Sequence, residues 1–429
     1  MKKLLIRGGK KIEGVVDITG AKNAALPLMV ASILTDEGLT LTNVPQVSDI
    51  ATMANLLENL GIEISFDGSD PEFGEQGRAI VLNAKNISSD PVAPYDLVRK
   101  MRASIFALGP LLARCGKARI SLPGGCAIGT RPVDLHLKAM ERLGAKIELT
   151  AGYIDAKVDG RLRGAEIHFE KVTVGATESA MMAATLAEGE TVLSNAACEP
   201  EVVDLAKCLR AMGAKIEGEG TPRIVIQGVE KLHAARHRII TDRIEAGTYA
   251  IAAGITGGKI RMRGVEPWVI SSFKGELEQA GLSLKEVAPN EIEVTRASEV
   301  IHSVNISTQP FPGFPTDMQA QFMALMVVAD GTSTIEENIF ENRFMHVMEL
   351  QRMSSNIESH GNLAVVKGVK KLTGAEVMAT DLRASVCLVL AGLVAEGETV
   401  INRLYHLERG YERLAEKLIA CGADIKILY

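Results

Sequence analysis

Aromatic residues make up only 4% of the 429-residue chain, too few for a platform on which single-stranded bases would stack. There is no basic excess either. The formal net charge is −6, so no global field draws in nucleic acid. No apolar run approaches the ~18 residues that a membrane span needs. Leu4, Leu5 and Ile6 after the two lysines are too short a run for the core of a signal peptide. The six cysteines, at 115, 126, 198, 208, 387 and 421, show no C-x-x-C spacing. That suits reduced thiols in a cytoplasm, not a disulfide framework or a zinc site. The sequence has no G-x-x-x-x-G-K-[ST], no G-x-G-x-x-G and no H-E-x-x-H, the short signatures of phosphate loops, dinucleotide folds and zinc proteases. The histidines have no paired spacing for a metal. Phosphate would have to be held by arginine, lysine and helix ends, with no dedicated metal or cofactor.

What the chain does have is ordinary globular composition, 47% hydrophobic and 23% charged, and a length that fits two large domains. Its strongest pattern is an internal repeat. Six short motifs close six units: 58–64, 141–148, 210–217, 278–285, 351–358 and 419–426. Each unit opens near a glycine, at 38, 116, 189, 258, 331 and 397. In the third, Gly189 to Leu193 reads as a strand, and Val202, Leu205, Ala206, Leu209 and Met212 form one helical face. Gly213 ends the helix, and Lys215 to Glu217 resumes period two. A strand–helix–strand unit of this size cannot bury its own apolar face. Six of them predict an α/β protein of two lobes, three repeats per lobe, with helices inside and sheets outside. The count puts a division near Thr241–Asp242 and leaves open which lobe takes the N-terminal strands.

The most informative stretch is L-P-G-G-C-A-I-G-T-R-P, Leu122 to Pro132. Gly124, Gly125 and Gly129 free the backbone around Cys126. Arg131 follows as a fixed cation, and Pro132 opens a helical run through Val133, Leu137, Met140 and Leu143 to Gly144. Thiol, arginine and helix N-terminus together suit an anionic substrate; the alternative is a free cysteine in an ordinary turn. Other polar residues stand where loops meet elements: Lys22 and Asn23, Arg102 in M-R-A-S, Lys171 to Gly175, Asp317 in P-T-D-M-Q, Arg343 in E-N-R-F, Arg383 in D-L-R-A-S and Arg409 in E-R-G-Y. Taken singly, each arginine also reads as a surface residue, and Asp317 as a helix cap.

In order along the chain, G-A-K-N-A-A-L-P, L-P-G-G-C-A-I-G-T-R-P-V-D-L-H, F-P-T-D-M-Q-A-Q-F, F-E-N-R-F-M-H-V, A-T-D-L-R-A-S and R-G-Y-E-R resemble the UDP-N-acetylglucosamine 1-carboxyvinyltransferases, which are enolpyruvyl transferases. The resemblance spans nearly the whole chain. It implies an inside-out α/β barrel of two lobes, residues 1–21 with 242–429 and residues 22–241, with the active site in the cleft between them. The implied reaction moves the enolpyruvyl group of phosphoenolpyruvate to the 3′-hydroxyl of UDP-N-acetylglucosamine and releases phosphate, through a tetrahedral intermediate. It is the first committed step of peptidoglycan synthesis in the cytoplasm, and the target of fosfomycin.

The resemblance implies Cys126 as proton donor and Asp317 as base, with Lys22 and Arg409 also catalytic. Phosphoenolpyruvate falls to Lys22, Asn23, Arg131, Arg343, Arg383 and Arg409. The UDP-sugar falls to Asn23, Arg102, Arg131, Pro132, Val133, Asp134, Leu135, His136, Lys171, Val172, Thr173, Val174, Gly175, Asp317, Ile339 and Phe340. Thr173 stands where some members have serine. Six cations would meet about five negative charges on the two substrates, so the net charge hides a basic centre. Two other readings remain: the sister transferase acting on shikimate 3-phosphate, against which the G-G-C-A-I-G loop stands, and a non-catalytic UDP-sugar sensor.

Overall fold

The computed structural model describes residues 2–67, 79–123 and 133–429. The chain forms two compact units. One runs from Gly20 to Ile240; the other joins the residues up to Thr19 with Thr241–Tyr429. Among the described residues there are six four-stranded sheets, three in each unit.

Two burial patterns explain the layering. Strands alternate: Lys259–Arg263 runs exposed, buried, exposed, buried, exposed, and Lys117–Ser121 keeps the same alternation over its first four residues. Such a strand has one face on a core and one in water. The helices Gln319–Met326 and Leu382–Gly392 behave differently. All eight residues of the first are buried, as is everything from Arg383 to Gly392 in the second. Val174–Ala184 is likewise buried from Ala176 onward. A helix apolar on every face has to sit inside. Each unit therefore wraps its sheets around its helices, as the repeat count predicts and as the inside-out α/β barrel implied by the resemblance requires.

The third repeat has the predicted form. Its strand is Glu190–Ser194, and its helix Pro200–Ala211 presents Val202, Leu205, Ala206, Leu209 and the C-cap Met212 to the core, all at 0% exposure. Gly213 turns with φ of 104° into the strand Lys215–Glu217. The helix read from Pro132 to Gly144 is shorter in the structure, Asp134–Arg142, followed by Gly144 at φ 97°. Pro132 lies outside the described residues.

Each sheet combines antiparallel strands with one parallel strand. Lys259–Arg263 pairs antiparallel with Glu291–Arg296 and parallel with Glu13–Asp17. Lys3–Arg7 lies antiparallel between Glu398–Asn402 and Asp424–Leu428. Both N-terminal strands thus complete sheets built from the C-terminal part of the chain. In the other unit Ala235–Arg238 pairs parallel with Gly38–Thr42, so its last strand joins its first sheet.

Glycines mark where the repeats press backbone on backbone. A Cβ on Gly228 would lie 1.8 Å from the Ala187 carbonyl oxygen, and one on Gly368 1.7 Å from that of Ala329. Gly275, in the helix Ser271–Gln279, is exposed and has nothing within 4 Å of its virtual Cβ. The two substitutions should therefore act in opposite directions. Gly228→Ala is expected to cost about 1–3 kcal/mol through overpacking. Gly275→Ala should stabilise by about 0.5–1 kcal/mol through helix propensity. Denaturant titrations of both variants against the parent protein check this.

Candidate active site

In the C-terminal unit, three of the residues singled out from sequence come together. Asp317 lies in the 3-10 turn Thr316–Met318, just before the buried helix Gln319–Met326. It does not cap that helix: Met318 is the N-cap, with no side-chain capping bond. Instead its Oδ1 accepts from Arg343 Nη2 at 2.7 Å and its Oδ2 from Arg383 Nη2 at 3.1 Å. Both arginine side chains are only 5% exposed, so neither is the surface residue that it could be when taken singly. One carboxylate thus sits between two buried guanidiniums, its own side chain 26% exposed.

Arg383 owes its place to its helix. Asp381 caps Leu382–Gly392, accepting from the backbone N–H groups of Arg383 and Ala384. Arg383 Nη1 then donates to Tyr411 Oη at 3.2 Å. Gln321 Nε2 donates to the same oxygen at 3.2 Å. With two donors already on it, the Tyr411 hydroxyl gives its proton to Thr248 Oγ1, 2.9 Å away, and Thr248 in turn donates to the Ile244 carbonyl at 2.8 Å. Burial alone would make Arg383 harder to charge; Asp317, Tyr411 and Asp242 outweigh it and raise its pKa. Burial pushes the Tyr411 hydroxyl up, against the opposing pull of Arg383, which keeps it a neutral donor.

Ile339 and Phe340 stand close to this group. Their backbone N–H groups donate to Glu337 Oε1 at 2.9 and 3.2 Å, and the Phe340 ring lies 5.3 Å from the Arg343 guanidinium carbon. His346 is 1% exposed, and its Nε2 is buried with no hydrogen-bond partner among the described residues. Burial lowers its pKa to about 4, with Arg343 adding to the effect and Asp381 opposing it. Arg409 ends the 3-10 turn Leu404–Arg409 and is half-buried; after burial itself, its charge is the next cause that lowers the His406 pKa.

The other unit holds a second set. Lys22 is the first residue of the helix Lys22–Ala31, and its Nζ lies 3.3 Å from Asp49 Oδ2 with both side chains largely buried. Asn23 beside it is exposed, and Arg102 opens the 3-10 turn Arg102–Ala107. Thr173 caps the helix Val174–Ala184 through its hydroxyl. Lys171 is exposed, and Val172, Val174 and Gly175 are half-buried. Gly175 packs against His136: a Cβ there would meet Nε2 at 3.0 Å. His136 itself is 6% exposed, with Nδ1 2.9 Å from Ser179 Oγ. Val133 and Leu135 are half-buried and Asp134 is exposed. Cys126, Arg131 and Pro132 lie outside the described residues. In the same unit, burial and then Glu201 and Glu199 raise the pKa of Glu178, which is 1% exposed.

Asp49, Thr248, Gln321, Glu337, His346 and Tyr411 were not legible as site residues. Gln321, His346 and Tyr411 do fall inside the quoted motifs, whereas Asp49 and Thr248 fall in none. Among the described residues no group of three or more His, Cys, Asp or Glu side chains could hold a metal ion, and no helix is long and apolar enough to cross a membrane.

Comparison with known proteins gives the class first. The model of the family described as EPSP synthase (3-phosphoshikimate 1-carboxyvinyltransferase) matches residues 6–418. The enolpyruvyl transferase NikO from Streptomyces tendae superposes with a TM-score of 0.89 at 26% identity, covering 100% of this chain and 99% of that one. EPSP synthase from Acinetobacter baumannii shares the fold, with a TM-score of 0.74 at 17% identity and full coverage of both chains. The particular branch comes from sequence. The UDP-N-acetylglucosamine 1-carboxyvinyltransferase of Paramagnetospirillum magneticum is 58% identical over 428 residues, 100% of this chain and 99% of the relative. That of Rhodospirillum centenum is 58% identical over 428 residues, 99% of each. The chain belongs to the UDP-N-acetylglucosamine 1-carboxyvinyltransferase family and is a transferase.

Two expectations follow from the geometry. Tyr411→Phe removes the oxygen shared by Arg383, Gln321 and Thr248 while keeping the ring. It should lower stability by about 1–3 kcal/mol, read by denaturant titration. His346 titrates near 6.5 when unfolded but about 4 when folded. The unfolded state therefore takes up a proton first as pH falls. The stabilisation is complete above pH 6.5 and is lost as pH falls towards 4, by up to roughly 3 kcal/mol. Stability measured against pH for the parent and for His346→Asn should differ by this slope, which the variant lacks.

Proposed function

We propose that this protein transfers the enolpyruvyl group of phosphoenolpyruvate to the 3′-hydroxyl of UDP-N-acetylglucosamine and releases phosphate, in the cytoplasm, as the first committed step of peptidoglycan synthesis. The names of its full-length relatives support the substrate pair. The observation that carries the reading is the Asp317 carboxylate held between Arg343 and Arg383. An anionic substrate arriving there competes with Asp317 for two buried guanidiniums. Once relieved of them, Asp317 is available to the acceptor hydroxyl.

The roles are then as follows. Asp317 takes the proton from the 3′-hydroxyl as its oxygen bonds to C2 of phosphoenolpyruvate. The Cys126 thiol delivers a proton to the methylene carbon, which gives a tetrahedral phospholactoyl species. In the second step the C2–O bond to phosphate breaks, the Cys126 thiolate takes back a proton from the methyl carbon, the double bond re-forms, and phosphate departs with the proton held by Asp317. Lys22, Arg131 and Arg409 hold the phosphate, Arg343 and Arg383 the carboxylate, and Asn23 assists. Arg102, residues 131–136, residues 171–175, Ile339 and Phe340 hold the sugar nucleotide. Within the N-terminal set, the Lys22–Asp49 pair keeps a cation in place until a phosphate displaces the carboxylate.

The remaining thiols support Cys126 as the reactive one. Burial raises the pKa of Cys115, Cys198, Cys208, Cys387 and Cys421, so each has less thiolate at neutral pH.

Phosphate release from phosphoenolpyruvate, measured with UDP-N-acetylglucosamine, with shikimate 3-phosphate and with neither, tests the reading. Release is expected only with the first. Release with shikimate 3-phosphate would assign the sister activity, and binding of UDP-N-acetylglucosamine without release would make the protein a sensor. Fosfomycin, an electrophilic epoxide phosphonate, should attach to Cys126, faster with the sugar nucleotide bound, as read by peptide mapping. Cys126→Ser should block attachment and severely impair turnover, because a hydroxyl is a far weaker acid than a thiol. Cys126→Asp should resist the epoxide while retaining turnover. Labelling mainly at another cysteine, or full activity of Cys126→Ala, would overturn the assignment.

A further inference from the structure

Glu337 directly follows the strand Thr332–Glu336 and is 3% exposed. A carboxylate this far from water needs several donors. Its Oε1 accepts from the Thr308 hydroxyl at 3.0 Å and from the N–H groups of Ile339 and Phe340 at 2.9 and 3.2 Å. The Thr316 hydroxyl lies 3.0 Å from Oε1 and 2.9 Å from Oε2 and shares its one proton between them. Thr308 is fixed in turn. Its N–H donates to the Glu336 carbonyl at 2.8 Å, and its hydroxyl oxygen accepts from Asn338 N at 2.9 Å.

What these donors belong to decides what Glu337 does. Thr316 immediately precedes Asp317. Phe340 lies against the Arg343 guanidinium at 5.3 Å, and that guanidinium bonds Asp317 at 2.7 Å. A closed circuit therefore runs from Glu337 through Thr316, Asp317, Arg343 and Phe340 back to Glu337. One buried carboxylate fixes both ends of the segment pair that presents Asp317 and its first cation.

We propose that Glu337 is a positioning residue, which sets the placement of Asp317 through Thr316 and that of the Ile339–Phe340 backbone through its accepted N–H bonds. The inference rests on the functional reading above for what the placement serves. It assigns Glu337 no contact with substrate. The four donors are shared by two acceptor oxygens; an amide offers one acceptor oxygen and turns a donor towards the Thr316 hydroxyl.

The two arms can be cut separately. Thr316→Val keeps the shape and severs only the arm to Asp317, while Glu337→Gln weakens both. Referred to folded protein, kcat should fall about 10- to 100-fold in Thr316→Val, with KM for UDP-N-acetylglucosamine within about twofold of the parent. Glu337→Gln should lose a similar factor in kcat and raise that KM about 3- to 10-fold. The double variant should have a kcat no lower than that of the slower single variant, because Thr316→Val already removes the arm through which Glu337→Gln lowers kcat. Amide exchange needs no substrate: at Ile339 and Phe340 it should quicken about tenfold in Glu337→Gln and stay unchanged in Thr316→Val. Parental kcat in both variants, or independent additive losses in the double variant, overturns the proposal. So does unchanged exchange at Ile339 and Phe340 in Glu337→Gln. If the parent protein releases no phosphate with UDP-N-acetylglucosamine, the functional reading falls, and the exchange measurement alone decides the placement.

Discussion

A helix buried on every face has little room on its flanks for a charge. That constraint governs this molecule, because its repeats put such helices at the centre of each unit. Gln319–Met326 and Leu382–Gly392 are buried along their whole working length. Much of the polar chemistry of the buried helices enters at their N-terminal ends, while Glu178 and Thr248 lie further along Val174–Ala184 and Arg243–Thr256. Lys22 and Asn23 open one helix, Thr173 caps another, Asp242 caps Arg243–Thr256, Asp317 precedes Gln319, and Asp381 and Arg383 begin the last. The N-terminus of a helix carries partial positive charge and unsatisfied N–H groups. Cations gathered there reinforce the field instead of opposing it, and the result suits anions.

Close packing of those helices then couples their ends. Tyr411 receives Arg383 from one helix and Gln321 from a second, and passes its own proton to Thr248 on a third. Asp317 is reached by the same Arg383 and by Arg343 from a loop. A guanidinium suits this place because its donors point in fixed, separate directions. One Arg383 nitrogen serves the carboxylate and another the phenol. A lysine has one nitrogen and could not hold both with that geometry. Buried polar groups joined this way are costly to disturb singly, since each deletion strands its neighbours in low dielectric.

The fold was legible because its signal is periodic. The buried face Val202, Leu205, Ala206, Leu209 and Met212 recurs at helical spacing, and the turn at Gly213 needs a positive φ that glycine adopts readily. Part of the site was legible for a different reason: Lys22, Asp317, Arg343 and Arg383 sit in short motifs beside element boundaries. Their partners carried no local signal. Thr248 and Tyr411 are 163 positions apart, and Lys22 meets Asp49 across 27; only the fold brings such pairs together. Asp317 read equally as a cap or as a reactive acid, and the choice depended on whether its carboxylate turned to its own helix or to two distant arginines. The start of the helix after the cysteine loop moved from Pro132 to Asp134 because proline at a first turn marks a neighbourhood and not a residue.

Both units have buried central helices, yet their helix starts differ in kind. In the N-terminal unit the starts carry Lys22, Asn23 and Thr173, with Lys22 balanced by Asp49. In the C-terminal unit they carry acids as well: Asp242, Asp317 and Asp381, the last two within the influence of Arg383, Arg343 or His346. A symmetric pair of barrels could bind two similar anions. An acid held between two arginines, as Asp317 is, sets one of them apart. The sheets and buried helices tolerate this divergence, since residues at a helix end touch the shared core least. Conserved architecture and divergent chemistry are therefore two consequences of the same burial. The core requires apolar helices, and their ends are the positions left free to differ.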